Sequence, residues 1–275
     1  MVTSPERQRV LFILGAGHCG STLLSLLLNG HPDCVAVSEL GALKDCIRDH
    51  DPVLAEPAWQ EAARCFEQRT HLRFADLDLY HPSVKTFLRW SRERVTEWTR
   101  PRAALLECLS QVTGKPWIID ASKSWHQLYL MDRSGLFDLR VVHLVRDARG
   151  IVHSYTKKYK VVRYGLSKWL KSNAGAMALQ PRFGDRWMRV RYEDLVTDPA
   201  ATLAQICSLM GLAYDPQMLR YRDHTWLGLG GNRMAKSTDS TIRLDEKWRR
   251  EMPKRDQRIV NLVGGALNRY YGYGA

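Results

Sequence analysis

Long apolar runs are missing from this chain. No stretch approaches the roughly 20 consecutive apolar residues that cross a bilayer, and Val10–Leu14 is too short for the apolar region of a secretory signal. Cysteine is scattered. Cys19, Cys34, Cys46, Cys65, Cys108 and Cys207 contain no C-x-x-C pair, so zinc-site spacing is absent, and six in 275 residues do not amount to a disulfide framework. They read as reduced thiols, and the expectation is a soluble protein of a reducing, cytoplasmic compartment. Acidic residues are outnumbered, 29 against 41 Lys and Arg, for a formal charge of +12. Such a surplus favours anionic partners (a phosphorylated nucleotide, an acidic substrate, nucleic acid or an anionic membrane surface) unless it is only a solvated basic face. Internal repeats, low-complexity tracts and interdomain linkers are absent too. One domain over 1–275 is expected, long enough to bury a full core.

What is present begins as strand, glycine turn, helix. Val10 to Leu14 is a continuous apolar run of strand length, the pattern of a strand buried on both faces of a parallel sheet. Gly15-Ala16-Gly17-His18-Cys19-Gly20 breaks it, and Ser21 to Asn29 predicts a leucine-rich helix stopped by Gly30 and Pro32. Further strands are expected at Val35–Val37, Trp117–Asp120, Leu139–Val145 and Arg186–Tyr192. Residues 41–113 read as helical, with breaks at Pro52, Pro57, Pro82 and Pro101. Strands separated by helical stretches predict an α/β fold, a central parallel β-sheet flanked by helices.

Gly15-x-x-x-x-Gly20-Ser21-Thr22 has the spacing of a phosphate-binding P-loop, G-x-x-x-x-G-K-[ST], but carries Ser21 where lysine belongs. Its glycines let backbone N–H groups close around an anion, and the following helix adds a favourable dipole. A glycine turn that only joins strand to helix is the competing reading. The missing lysine is informative, because in nucleoside triphosphatases it reaches the β- and γ-phosphates while the hydroxyl holds Mg²⁺. No acidic magnesium motif follows. A ligand with one 5′-phosphate and one further group suits this loop better than a triphosphate.

These residues resemble the sulfotransferases that use 3′-phosphoadenosine 5′-phosphosulfate (PAPS), particularly the bacterial and carbohydrate-type branch. The resemblance rests on Gly15 to Leu24 followed by His31-Pro32, and on Leu144-Val145-Arg146-Asp147-Ala148-Arg149 with Ser154. Asp120-Ala121-Ser122-Lys123-Ser124, Arg191-Tyr192-Glu193-Asp194-Leu195, Gly231-Asn232-Arg233 and Trp248 extend it, in order, over residues 10 to 250. It implies a P-loop NTPase-like sulfotransferase fold with a 5′-phosphosulfate loop at 15–23 and a 3′-phosphate motif at 144–154. It also implies that Gly17, His18, Cys19, Gly20, Ser21, Thr22 and Leu23 cradle the phosphosulfate while Arg146 and Ser154 hold the 3′-phosphate. A guanidinium suits that task because it grips two phosphate oxygens in a fixed fork; a structural ion pair of Arg146 with Asp147 or another carboxylate is the competing reading. Tyr192 is expected near the nucleotide, or in the core, and Arg233 over the 3′-phosphate.

For the chemistry, Glu39 is the first choice of general base. It follows the second strand, where ligands of open α/β sheets bind, and resembles the glutamate that follows the His-Pro turn in carbohydrate and tyrosylprotein sulfotransferases; a surface or capping glutamate is the alternative. His18 stands where the family carries Lys or Arg, and could assist the departing phosphate as a cation or a hydrogen-bond donor. Lys123 is a candidate for the sulfuryl oxygens. His126, His31 and His153 are reserve bases, since a solitary histidine is more often structural.

The implied reaction needs PAPS as donor, gives adenosine 3′,5′-bisphosphate as product, and uses no metal. The acceptor is expected to be a small molecule bearing a hydroxyl or amine, in a pocket built from 41–113 and 155–185. Trp59, Phe87, Trp90, Tyr159, Tyr164 and Trp169 could line that pocket or fill a helical core. Two other classes stay open. One is a P-loop kinase with a degenerate loop. The other is a basic nucleic-acid-binding protein, to which Lys157-Lys158-x-Lys160-x-x-Arg163 and Arg243 to Arg258 would contribute, although no recognition motif is evident.

Overall fold

Five strands form one sheet: β1 (Gln8–Gly15), β2 (Cys34–Ser38), β3 (Trp117–Lys123), β4 (Phe137–Val145) and β5 (Trp187–Arg191). The structure is a computed structural model describing residues 7–231 and 233–274, without the side chains of Arg233 and Lys236. Sheet order is β2-β3-β1-β4-β5, and every neighbouring pair is parallel. The α/β expectation therefore holds, and the run that predicted β1 explains why. Val10 to Leu14 are all completely buried. Leu11 and Ile13 face one core with the leucines of the helix Ser21–Asn29, while Val10, Phe12 and Leu14 face the other. That second core is filled by the helices Pro57–Thr70 and Arg92–Thr113. A strand covered by helices on both faces has no polar side to show, so its sequence does not alternate.

Pro57 occupies the first turn of its helix, where a missing N–H costs nothing. Pro101 departs from expectation: it lies inside the helix Arg92–Thr113 instead of ending it. The buried stripe Val95, Thr99, Arg102, Leu106 and Leu109 continues across it at helical spacing, so packing outweighs the one lost hydrogen bond. The same helix corrects the reading of the cysteines. Cys108 forms a disulfide with Cys65 of the helix Pro57–Thr70, with Cα atoms 5.9 Å apart, while Cys19, Cys34, Cys46 and Cys207 are free and buried. The two partners are 43 residues apart and meet only because their helices pack, which no local spacing reveals.

The carboxyl edge of the sheet is irregular. Register shifts fall between Phe12 and Leu14 in β1 and between Ala36 and Ser38 in β2. Left-handed backbone occurs there at three non-glycine residues, His18 (φ 66°), Ser38 (φ 55°) and Lys123 (φ 61°). Elsewhere such residues sit at helix ends, as His71 and Lys160 do. Strained conformations held at one sheet edge mark a place where side-chain direction matters more than local comfort.

Candidate active site

The loop between β1 and the helix Ser21–Asn29 forms the floor of the site. Gly20 (φ 100°) is the N-cap residue and gives the helix no side-chain cap, so the first-turn N–H groups depend on another acceptor. The glycines are steric requirements. A Cβ on Gly17 would lie 2.2 Å from the Tyr155 hydroxyl, and one on Gly20 would lie 2.5 Å from the Tyr192 ring. A cavity of about 430 Å³ opens over this loop, lined by Gly17, His18, Gly20, Ser21 and Thr22 and walled by Glu39, Lys123, Lys158 and Lys168. Cys19 is a correction. It lines no part of the cavity; its side chain is wholly buried in the core, where burial pushes its thiol pKa up, and its N–H donates to the Ala16 carbonyl. Leu23 lines the neighbouring cavity instead.

Glu39 and Lys123 meet across the first cavity, with Nζ 2.7 Å from Oε1. Lys123 is fixed from below: Nζ also donates to the Ala121 carbonyl at 3.0 Å, and the turn that carries it is tied down by Asp120. Asp120 is fully buried, paired with Arg102 at 2.8 Å, and its other oxygen accepts from the Ser122 N–H at 2.9 Å. A buried pair of this kind costs desolvation and returns a defined geometry. Glu39 is held by the chain beyond residue 225, which returns to the sheet edge: its N–H donates to the Leu229 carbonyl, and the Leu229 N–H donates to Val37. Gly230 and Gly231 then pass over the site in left-handed conformations, Gly231 beside Thr22.

His18 is not a cation here. Burial chiefly, then the charges of Lys158, Arg146 and Lys123, hold its pKa below the usual histidine range, so it is neutral at pH 7. Its ring meets Tyr155 edge to face at 4.7 Å. Lys158 and Lys168, which the motifs did not single out, supply the positive charge that the loop lacks. Lys158→Gln is accordingly expected to weaken nucleotide binding more than His18→Asn, a substitution that keeps a residue tolerant of left-handed backbone. Isothermal titration with adenosine 3′,5′-bisphosphate measures both.

A second cavity, about 760 Å³, adjoins the first through His18 and Gly20 and contains Arg146, Ser154 and Tyr192. The guanidinium of Arg146, almost buried, donates to the His18 carbonyl at 3.0 Å and to Asp245, at 2.7 Å to the carbonyl and 3.1 Å to Oδ2. It lies 4.3 Å from the Tyr192 ring centroid, a cation–π contact. Tyr192 is thus a support for the arginine. Its hydroxyl accepts from the Asp245 N–H at 3.3 Å, and burial raises its pKa, which keeps it protonated. Asp147, the other carboxylate considered for Arg146, instead pairs with Arg149 at 2.7 Å. The Ser154 hydroxyl donates to the Gly150 carbonyl at 3.0 Å and leaves its lone pairs and edge position at the cavity. Arg243, Lys247, Arg249 and Arg250 complete the basic wall. Arg233 belongs to the short turn Arg233–Lys236, but its side chain lies outside the described residues, as does Asn232.

The reserve histidines have structural partners. His31 shares a hydrogen bond with the Ala213 carbonyl at 3.0 Å and His153 faces Glu251 at 3.2 Å. His126 is stacked on His81, and burial lowers its pKa to about 4. Trp59, Phe87 and Trp169 are core residues, wholly or almost wholly buried, whereas Tyr159 and Tyr164 are exposed. Among the described residues no group of three or more His, Cys, Asp or Glu has the arrangement of a metal site.

A loop of uncapped helix N–H groups beside an arginine-lined cavity, on a parallel sheet, is an arrangement for binding an anion with charge at both ends. The chain belongs to the sulfotransferase family, whose profile matches residues 11–216. It is 27% identical over 175 residues to mouse carbohydrate sulfotransferase 5, covering 51% of this chain and 43% of that protein. To human carbohydrate sulfotransferase 3 it is 26% identical over 161 residues, 50% of this chain and 34% of that one. The chain thus spans less than half the length of these relatives in the matched region. Among solved structures, the sulfotransferase domain of the Synechococcus PCC 7002 olefin synthase superposes with a TM-score of 0.63 at 22% identity, covering 99% and 98% of the two chains. The sulfotransferase domain of the curacin biosynthetic pathway gives 0.53 at 18% identity, covering 94% and 99%. Both share the fold.

Proposed function

We propose that this chain transfers the sulfuryl group of PAPS to a hydroxyl or amine of a small acceptor. One observation carries the reading: two cavities joined at His18 and Gly20, one floored by a helix N-terminus, the other holding Arg146. A ligand with a phosphosulfate at one end and a 3′-phosphate at the other matches that donor set, and the steric need for glycine at 17 and 20 keeps the loop backbone open to it. Bound PAPS would bring an activated sulfuryl group, and the chain does the rest. Ser21, Thr22 and the first-turn N–H groups hold the 5′ end, while Arg146, backed by Tyr192, holds the 3′ end. Glu39 takes the acceptor proton on a carboxylate oxygen as the acceptor attacks, and Lys123 fixes that carboxylate's direction. Lys123 and Lys158 face the negative charge that develops on the transferring group and on the departing phosphate.

The test is transfer of label from PAPS to a library of hydroxyl- and amine-bearing acceptors in excess EDTA. Label should appear in an acceptor without added metal, because the loop lacks the lysine–magnesium pairing of nucleoside triphosphatases. Complete loss in EDTA, restored by Mg²⁺, would return the kinase reading to first place.

A further inference from the structure

The longest stretch of this chain without a carboxylate lies beside the active site. From 148 to 184 there is no Asp or Glu, while Lys157, Lys158, Lys160, Arg163, Lys168 and Lys171 are all present. The structure folds this stretch into two helices, Ala148–Tyr159 and Val162–Leu179, joined at Lys160, a left-handed cap (φ 60°). All six cations are exposed. Among the described residues, only Lys157 of these six is drawn to a carboxylate, that of Glu251 at 2.5 Å.

Apolar groups emerge among these charges. Tyr159 is 44% exposed, Val161 48% and Tyr164 39%, all at the joint between the helices. A merely solvated basic face has no reason to carry them. They are also not isolated from the chemistry: Tyr159 and Tyr164 pack on each other at 4.9 Å and on Tyr155 at 6.0 and 5.7 Å, and Tyr155 in turn meets His18 of the phosphate loop. Tyr155, Lys158 and Lys168 line the catalytic cavity itself.

We propose that this helical hairpin is a docking surface for an anionic lipid bilayer, seating the mouth of the catalytic cavity against the membrane. Clustered Lys and Arg are attracted to anionic headgroups, and tyrosine with a branched aliphatic side chain settles at the level where headgroups meet acyl chains. Nucleic acid would use the same cations but would want open aromatic faces for stacking. Here the Tyr159 and Tyr164 rings are tilted 56° against each other at 4.9 Å, so neither stands free as a stacking platform, and the most exposed apolar group of the joint, Val161, has no ring to stack. The proposal does not depend on the identity of the sulfuryl donor.

Co-sedimentation of the full chain with phosphatidylcholine vesicles, with and without roughly one-third phosphatidylglycerol, tests it. Binding is expected only to the anionic vesicles, and it should fall as salt rises from about 0.1 to about 1 M and screening tightens from about 10 to about 3 Å. Lys160→Gln with Arg163→Gln should weaken it by roughly 25-fold, about fivefold for each charge. Tyr159→Ser with Val161→Ser should weaken it as well while leaving the salt dependence unchanged. All four positions are exposed, and the thermal unfolding midpoint of each variant, measured alongside, separates loss of docking from loss of fold. No binding to anionic vesicles, equal binding to neutral ones, or insensitivity to Tyr159→Ser with Val161→Ser would overturn the proposal. So would tight binding of a duplex of about 20 base pairs in place of vesicles.

Discussion

Glu39→Gln is expected to lose about 10²–10⁴-fold in turnover while keeping nearly all of its affinity for adenosine 3′,5′-bisphosphate. The amide keeps the size of the carboxylate and its reach to Lys123, whose Nζ lies 2.7 Å from Oε1, but it cannot accept the acceptor's proton. An interaction needed only as the acceptor attacks lowers the catalytic rate and leaves ground-state binding alone. A hydroxyl and an amine both need deprotonation, so the expectation holds for either. The check is single-turnover transfer alongside nucleotide titration. A variant that keeps more than about a tenth of the wild-type chemical rate would place the base elsewhere. The reserve histidines would be poor replacements: His126 has its pKa lowered to about 4, and His153 faces Glu251.

Arg146→Ala should weaken PAPS and adenosine 3′,5′-bisphosphate binding by about 2–5 kcal/mol while barely affecting adenosine 5′-phosphosulfate, which lacks the 3′-phosphate. The surrounding contacts sharpen the expectation. Asp245 Oδ2, 3.1 Å from the guanidinium, and its carbonyl, at 2.7 Å, stand where a phosphate's oxygens would compete. The other arm reaches the His18 carbonyl at 3.0 Å, so the same arginine also braces the phosphate loop. The two roles separate in the comparison of nucleotides. Selective loss for those carrying a 3′-phosphate means that Arg146 reads that group; equal loss for all three would mean that it acts through His18.

Where function depends on local backbone, the sequence was readable. The run Val10 to Leu14 announced a strand buried on both faces, Gly15 to Thr22 announced the loop, and the helix spans Ser21–Asn29 as its leucines suggested. What could not be read depends on residues distant in the chain. Asp245 reaches Arg146 across 99 residues, and Leu229 fixes Glu39 across 190. Lys158 read only as part of a basic stretch and Lys168 stood out in no motif, because only helix packing turns them towards the loop. His18 stood in a cationic position of the motif, yet its burial and its cationic neighbours keep it neutral, a property of the folded environment that no residue type encodes. Pro101 and the Cys65–Cys108 pair mislead for the same reason: tertiary packing decided both.

On the proposed function, the joined cavities bind a nucleotide phosphorylated at both its 5′ and 3′ positions. Isothermal titration of the full chain with adenosine 3′,5′-bisphosphate in EDTA, set against ATP with Mg²⁺ and against an oligonucleotide, tests it most directly. Micromolar binding of the bisphosphate without metal is expected, with little heat from the other two. Magnesium-dependent ATP binding, or steeply salt-dependent oligonucleotide binding, with no response to the bisphosphate, would contradict it.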